Sequence, residues 1–185
     1  MDEKQIIAIT NRKLSTRPFL EVMKDLAKRD LQTIVLREKD LTEEEYEKLA
    51  RQCLEICRKY QAVLTLLNFV QAARNLGVSR IHLPYSVFLK EAGNLSDFEF
   101  VSTSIHKPEE ARKAKELGAD FVFAGHIYRT DCKKGLEPRG LEFLKDVLEV
   151  SDLPVYGIGG IHENNYREVL DAGASGVCMM SEFML

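Results

Sequence analysis

A histidine standing where an apolar run gives way to a polar loop has the widest chemical reach of any side chain here. His126 occupies that place in "FAGHIYRTDCKKGLEPRG", residues 123–140, with Lys133 further along the loop. An imidazole has an ordinary pKa of about 6.5, so it can accept and return a proton near neutrality. The other histidines read differently: His82 lies inside an apolar run and His162 opens a helical segment, both structural, while His106 ends a run and is intermediate. Cations form a second group. In "LREKD", Arg37 and Lys39 fall on one side of an extended strand, where a phosphate or carboxylate would suit both. Glu38 between them faces the helix layer or neutralises a neighbour, and ion pairs with the Glu-rich segment 43–47 explain the two cations equally well. A third group could hold an anion through its backbone. Gly159 and Gly160 in "GIGGI" let N–H groups approach a phosphate closely, with Ser181 of "MMSEF" as a hydroxyl partner, although a tight turn without ligand accounts for the same glycines.

These residues need a frame that gathers distant segments at one end. Eight short apolar runs read as strands, at 6–10, 33–38, 62–67, 80–84, 100–105, 120–125, 155–160 and 176–181. Segments of helical period lie between them, at 18–29, 42–59, 69–76, 86–92, 108–117, 140–149 and 163–172. Thr42 with Glu45 forms a capping box, Pro108 suits a first turn, and Gly77, Gly118 and Gly173 stand where helices should stop. Runs such as "DFVFAG" and "GVCMMS" are apolar without alternation, the pattern of strands covered on both faces. The expected fold class is α/β, a (β/α)8 TIM barrel forming a single domain over 1–185, with an open doubly wound sheet as the alternative. Such barrels typically take about 250 residues. Here the chain stops four residues after the eighth run, so the last outer helix is expected to be missing. The flank of strands 1, 7 and 8 would then be covered by a second subunit, as in a homodimer, or by another segment. Barrels place their active sites at the C-terminal strand ends, where Thr10, Asn11, Arg12, Asn68, Ser104 and Ser181 collect, although each taken singly reads as a solvated loop residue.

Composition excludes other classes. The 185 residues are 45% hydrophobic and 30% charged, enough for a full core, and a net charge of −3 with basic residues scattered among acids leaves no broad face for nucleic acid. No apolar stretch approaches the roughly 20 residues of a membrane span, so the protein is expected to be cytoplasmic. The four cysteines lack zinc-ribbon spacing and read as free thiols.

Together, "LREK" (36–39), "SIH" (104–106), "GADFVFAG" (118–125), "TDCK" (130–133), "PVYGIGGI" (154–161) and "MMS" (179–181) resemble the thiamin phosphate synthase/TenI superfamily over nearly the whole chain. The synthase branch of that family uses Mg2+ to hold a pyrophosphate leaving group, with an Asn-Asp pair after strand 3 and another Asp after strand 4. Here "TLLNF" and "HLPYSVF" carry no carboxylate at either place, and a hard cation needs such oxygens. "GHIYRTDCKKGLEPRG" is instead similar to the TenI-type thiazole tautomerases, in which the histidine is the acid/base residue. The resemblance therefore implies an isomerase that converts a phosphorylated 2-carboxy-dihydrothiazole into the aromatic carboxythiazole phosphate. It implies His126 as the catalytic residue, no metal or organic cofactor, and substrate contacts from Arg37, Lys39, Asn68, Ser104, Lys133, Gly159, Gly160, Met180 and Ser181. Two rivals stand beside it: a thiamin phosphate synthase holding Mg2+ on unusual ligands such as Asp131 or Glu38, and a non-catalytic regulatory protein that keeps the phosphate pocket.

Overall fold

The computed structural model describes residues 3–133 and 135–185. Among them, eight parallel strands hydrogen-bond in sequence order and close a barrel: β1 (Ile6–Ile9), β2 (Thr33–Leu36), β3 (Leu64–Leu67), β4 (Arg80–Pro84), β5 (Phe100–Ile105), β6 (Phe121–Gly125), β7 (Val155–Ile158) and β8 (Gly176–Met179). Helices alternate with them: α1 (Phe19–Ala27), α2 (Glu43–Tyr60), α3 (Val70–Leu76), α4 (Tyr85–Glu91), α5 (Pro108–Glu116), α6 (Gly140–Val150), α7 (Tyr166–Asp171) and α8 (Ser181–Met184). This is the (β/α)8 arrangement. No helix among the described residues is long and apolar enough to cross a membrane.

Every residue of β1, β2, β3 and β8 is buried, as the unbroken apolar runs require. Two compact units make up the chain, Met1–His82 with Met180–Leu185 and Leu83–Met179. In the first, α2 begins with the expected capping box: Glu45 N–H donates to Thr42 Oγ1 at 3.3 Å, and Thr42 N–H donates back to Glu45 Oε2 at 2.9 Å. Its buried face carries Tyr46, Ala50, Cys53 and Cys57 at helical spacing. Tyr46 does more than fill space. Its hydroxyl donates to the Leu36 carbonyl at 2.7 Å and accepts from Leu67 N–H at 2.9 Å, tying the C-terminal ends of β2 and β3 together. Burial also pushes the phenol well above its ordinary pKa, so it stays neutral. In the second unit the rings of Phe121, Phe123 and Tyr156 pack with centroids 5.4 to 6.3 Å apart, and the fully buried Phe123 contributes about 1.5–3 kcal/mol by its burial.

Two differences from the sequence expectation concern strand ends. The eighth outer helix is not missing but is a single turn, α8, which lies against α1 and the 3-10 turn Arg12–Leu14. The eighth strand is expected to run to Ser181. Instead the chain leaves the ladder after Met179, buries Met184, and sets the Phe183 ring 4.9 Å from the Arg29 guanidinium, so four residues suffice to turn once and pack. Likewise β2 stops at Leu36 and β7 at Ile158, two residues short of the expected ends. Arg37 N–H donates to the Thr10 side chain at 2.9 Å instead of to a strand carbonyl, and Gly159 turns the chain out of β7 at a φ of +101°. The chemically interesting residues thus sit just past the sheet.

Candidate active site

In the second unit, β6 delivers His126 and β7 delivers the glycine turn that supports it. The two segments approach so closely that a side chain on Gly125 would overlap Ile158, one on Gly159 would overlap His126, and one on Gly160 would overlap the Arg129 carbonyl. Backbone bonds hold the contact: Ile127 N–H donates to Ile158 O and Tyr128 N–H to Gly159 O, both at 2.9 Å. Gly159 and Gly160 therefore have a packing reason of their own, independent of any anion.

The loop after His126 returns over it. Arg139 N–H donates to the His126 carbonyl at 2.9 Å and Gly140 N–H to Ile127 O at 3.0 Å, closing a loop whose outward residues include Leu136 and Cys132, the latter in the 3-10 turn Asp131–Lys133. His126 is consequently only 4% exposed, more enclosed than its place at a strand end led the sequence to imply. Both ring nitrogens are buried without a hydrogen-bond partner. Such orphaned groups are uncommon and costly. Burial lowers the imidazole pKa, with Lys133, Arg139 and His106 adding to the effect; the Leu136 backbone opposes it, at a geometry short of a full hydrogen bond. His126 is neutral at pH 7 and each nitrogen is uncommitted. Beside it, His106 Nδ1 lies 2.9 Å from the Gly125 carbonyl, which only accepts, so that nitrogen carries the proton. Lys133 is half-buried, with its pKa lowered by burial and by Arg139. Ser104 stands in β5 opposite Phe123 of β6.

The first unit carries the other anticipated residues. Arg37 is half-buried, its Nη1 4.0 Å from Met180 Sδ, and among the described residues it has no carboxylate partner, so the ion pair with segment 43–47 is not what holds it. Lys39 is exposed, and its charge acts on His82, the buried histidine of β4. Asn68 takes a left-handed conformation at a φ of +73° and donates its N–H to His82 O at 3.0 Å. Few non-glycine residues adopt such a φ, and those that do cluster at ligand sites. Ser181 opens α8 directly after Met180. Glu38 neutralises a neighbour: it is buried and bound by Thr10 and Arg12. Sequence reasoning collected Thr10 and Arg12 as polar strand ends without connecting them to Glu38. Proximity across 26 residues leaves no mark on local patterning.

Among the described residues no three His, Cys, Asp or Glu side chains converge on a point, and Glu38 is already committed to Thr10 and Arg12. Asp131 is exposed on the 3-10 turn after His126.

Comparison with known proteins matches the chain to a family. A family model described as thiamine monophosphate synthase covers residues 6–183. A relative from Aquifex aeolicus, provisionally named thiamine-phosphate synthase 2, is 32% identical over 185 residues and spans 100% of both chains. The thiamine-phosphate synthase of Clostridium novyi is 29% identical over 97% of this chain and 90% of its own. Among solved structures, thiamine phosphate pyrophosphorylase from Pyrococcus furiosus superposes with a TM-score of 0.82 at 26% identity, covering 97% of this chain and 87% of that one. The chain belongs to the thiamine monophosphate synthase family.

Proposed function

We propose that this chain is a thiazole tautomerase, isomerising a phosphorylated 2-carboxy-dihydrothiazole to the aromatic carboxythiazole phosphate. One observation carries the reading: His126 is neutral, buried, and has two ring nitrogens with no partner of their own. In the proposed reaction the imidazole takes the proton from ring C2 of the substrate. The electron pair of that C–H bond enters the ring, the exocyclic double bond moves inward, and the imidazolium returns one proton to the exocyclic carbon. Protons balance and no redox partner is needed. Backbone N–H groups of Gly159 and Gly160 and the hydroxyl of Ser181 are assigned to the phosphate, and Arg37 or Lys39 to the carboxylate. Asn68, Ser104, Lys133 and Met180 supply the remaining contacts.

Acid/base help of this kind is worth about 10²–10⁴ in rate, or roughly 3–5 kcal/mol of barrier. His126→Asn is expected to lower kcat by that factor while leaving KM nearly unchanged. Wild-type turnover by the variant in a tautomer-conversion assay would take His126 out of the mechanism.

The relatives' names favour a second reading, in which the chain is a transferase that forms thiamine phosphate from a pyrimidine pyrophosphate and thiazole phosphate. Against it stands Glu38, a carboxylate that could have held Mg2+, which is already engaged by Thr10 and Arg12. Incubation with both substrates and Mg2+ separates the readings. Thiamine phosphate formation establishes the transferase, tautomer conversion alone the isomerase, and ligand binding with neither product a regulatory protein.

A further inference from the structure

Past the end of β2, residues 37–40 have left the sheet and need some other restraint. Glu38 supplies it. The carboxylate is 1% exposed and receives Thr10 Oγ1 at 2.7 Å, Arg12 N–H at 3.0 and 3.1 Å, and Arg12 Nη1 at 3.0 Å. Thr10 completes a relay: its hydroxyl donates to Glu38 while its oxygen accepts Arg37 N–H at 2.9 Å. The Arg37 backbone is thereby tied to the Glu38 carboxylate through Thr10. Charge is sorted as well. Arg12 also grips Asp40 through Nη1 and Nη2, each at 2.7 Å, and Lys13 pairs with Asp40 at 3.1 Å. The two acids of "REKD" are engaged by the loop after β1, and Arg37 is left with no carboxylate partner among the described residues, reaching instead to Met180 Sδ. A buried carboxylate is costly to maintain unless it is fully bonded, and one so completely satisfied restrains every group attached to it.

We propose that Glu38 is a positioning residue: held by Thr10 and Arg12, it fixes the backbone that aims Arg37 at the substrate's anionic group and keeps that guanidinium free of internal acids. This rests on the reading of Arg37 as an anion-binding residue. The test uses the full chain, inorganic phosphate as the probe in an NMR titration, and tautomer turnover as a second measurement, with circular dichroism to verify folding. Glu38→Gln keeps the shape and loses the charge. It is expected to raise the phosphate Kd and the substrate KM by about tenfold with kcat within about twofold, the opposite split from His126→Asn. Arg37→Gln should raise both by a similar factor, and the double variant should be no weaker than Arg37→Gln alone, because the two act on one interaction. A wild-type Kd for Glu38→Gln, or fully additive losses in the double variant, overturns the positioning role. A wild-type Kd for Arg37→Gln overturns the anion-binding reading itself, whatever Glu38→Gln does. Should Glu38→Gln not fold, Arg12→Gln takes its place: Glu38 keeps Thr10 and the Arg12 backbone N–H while losing the guanidinium, and the same split is expected. An unchanged KM there sinks the proposal equally.

Discussion

His126 is asked to be both enclosed and reactive, and its surroundings reconcile the two. Burial, then Lys133, Arg139 and His106, push its pKa below the ordinary value, so the protonated form is the disfavoured one. A base of this kind is active when unprotonated. As pH falls through the lowered pKa, the ring takes up a proton and the rate should drop, so the acid limb of a kcat/KM profile is expected to lie below pH 6.5, the reference value for imidazole. Removing a cation relaxes that depression. Lys133→Ala should therefore move the limb upward in pH, and a limb that stays in place would show that Lys133 does not act on the ring. The orphaned nitrogens also explain why sequence could name this residue but not describe its state: residue type and strand-end position are local, whereas the returning loop that encloses the ring is fixed by Arg139 and Gly140 bonding back to residues 126 and 127.

At the level of elements, the ends of β2 and β3 depend on a phenol supplied by α2. Tyr46→Phe retains the ring's packing and deletes both hydrogen bonds, leaving the Leu67 N–H buried without a partner. The expected loss is about 1–3 kcal/mol in urea unfolding, with an unchanged m-value. A loss below about 0.5 kcal/mol would mean that water replaces the hydroxyl. Elements themselves were legible. Apolar runs placed each strand within two residues at either end, and the capping box at Thr42 and the proline at 108 marked real helix starts. Where the reading failed, at α8 and at the ends of β2 and β7, the same cause recurs: polar residues following an apolar run keep its extended look in sequence, while loop contacts bend them out of the ladder. "MMSEF" contains no capping residue pattern that announces a helix, and Phe183 finds its partner in Arg29, far away in sequence.

For the molecule as a whole, acid stability is set partly by a histidine that performs no proposed chemistry. His82 is fully enclosed within β4 and faces the charge of Lys39, and burial, followed by that charge, lowers its pKa to about 3. An unfolded chain binds a proton on this ring below about pH 6.5, whereas the folded one does so only near pH 3. Within that window the unfolded state holds more protons. Stability should fall as pH falls, with a slope from this group approaching about 1.4 kcal/mol per pH unit. Urea unfolding of wild type and His82→Gln between pH 7 and pH 4 checks the sign. The variant should show the shallower slope whatever its absolute stability, and parallel slopes would exonerate His82. The barrel and its family could be read from sequence because both rest on repeated local units and short motifs. The bonded group of Thr10, Arg12 and Glu38 could not, since side-chain contacts just past the ends of β1 and β2 depend on how the two loops turn beyond the paired strands.

Three of the four cysteines are enclosed and the remaining one, Cys132, faces outward on the turn that follows His126. A maleimide probe applied to the native protein would thus attach at one place, on the segment that roofs the imidazole. A spectroscopic label there reports on the surroundings of that turn when ligand is added, without any engineered thiol and without disturbing the interior.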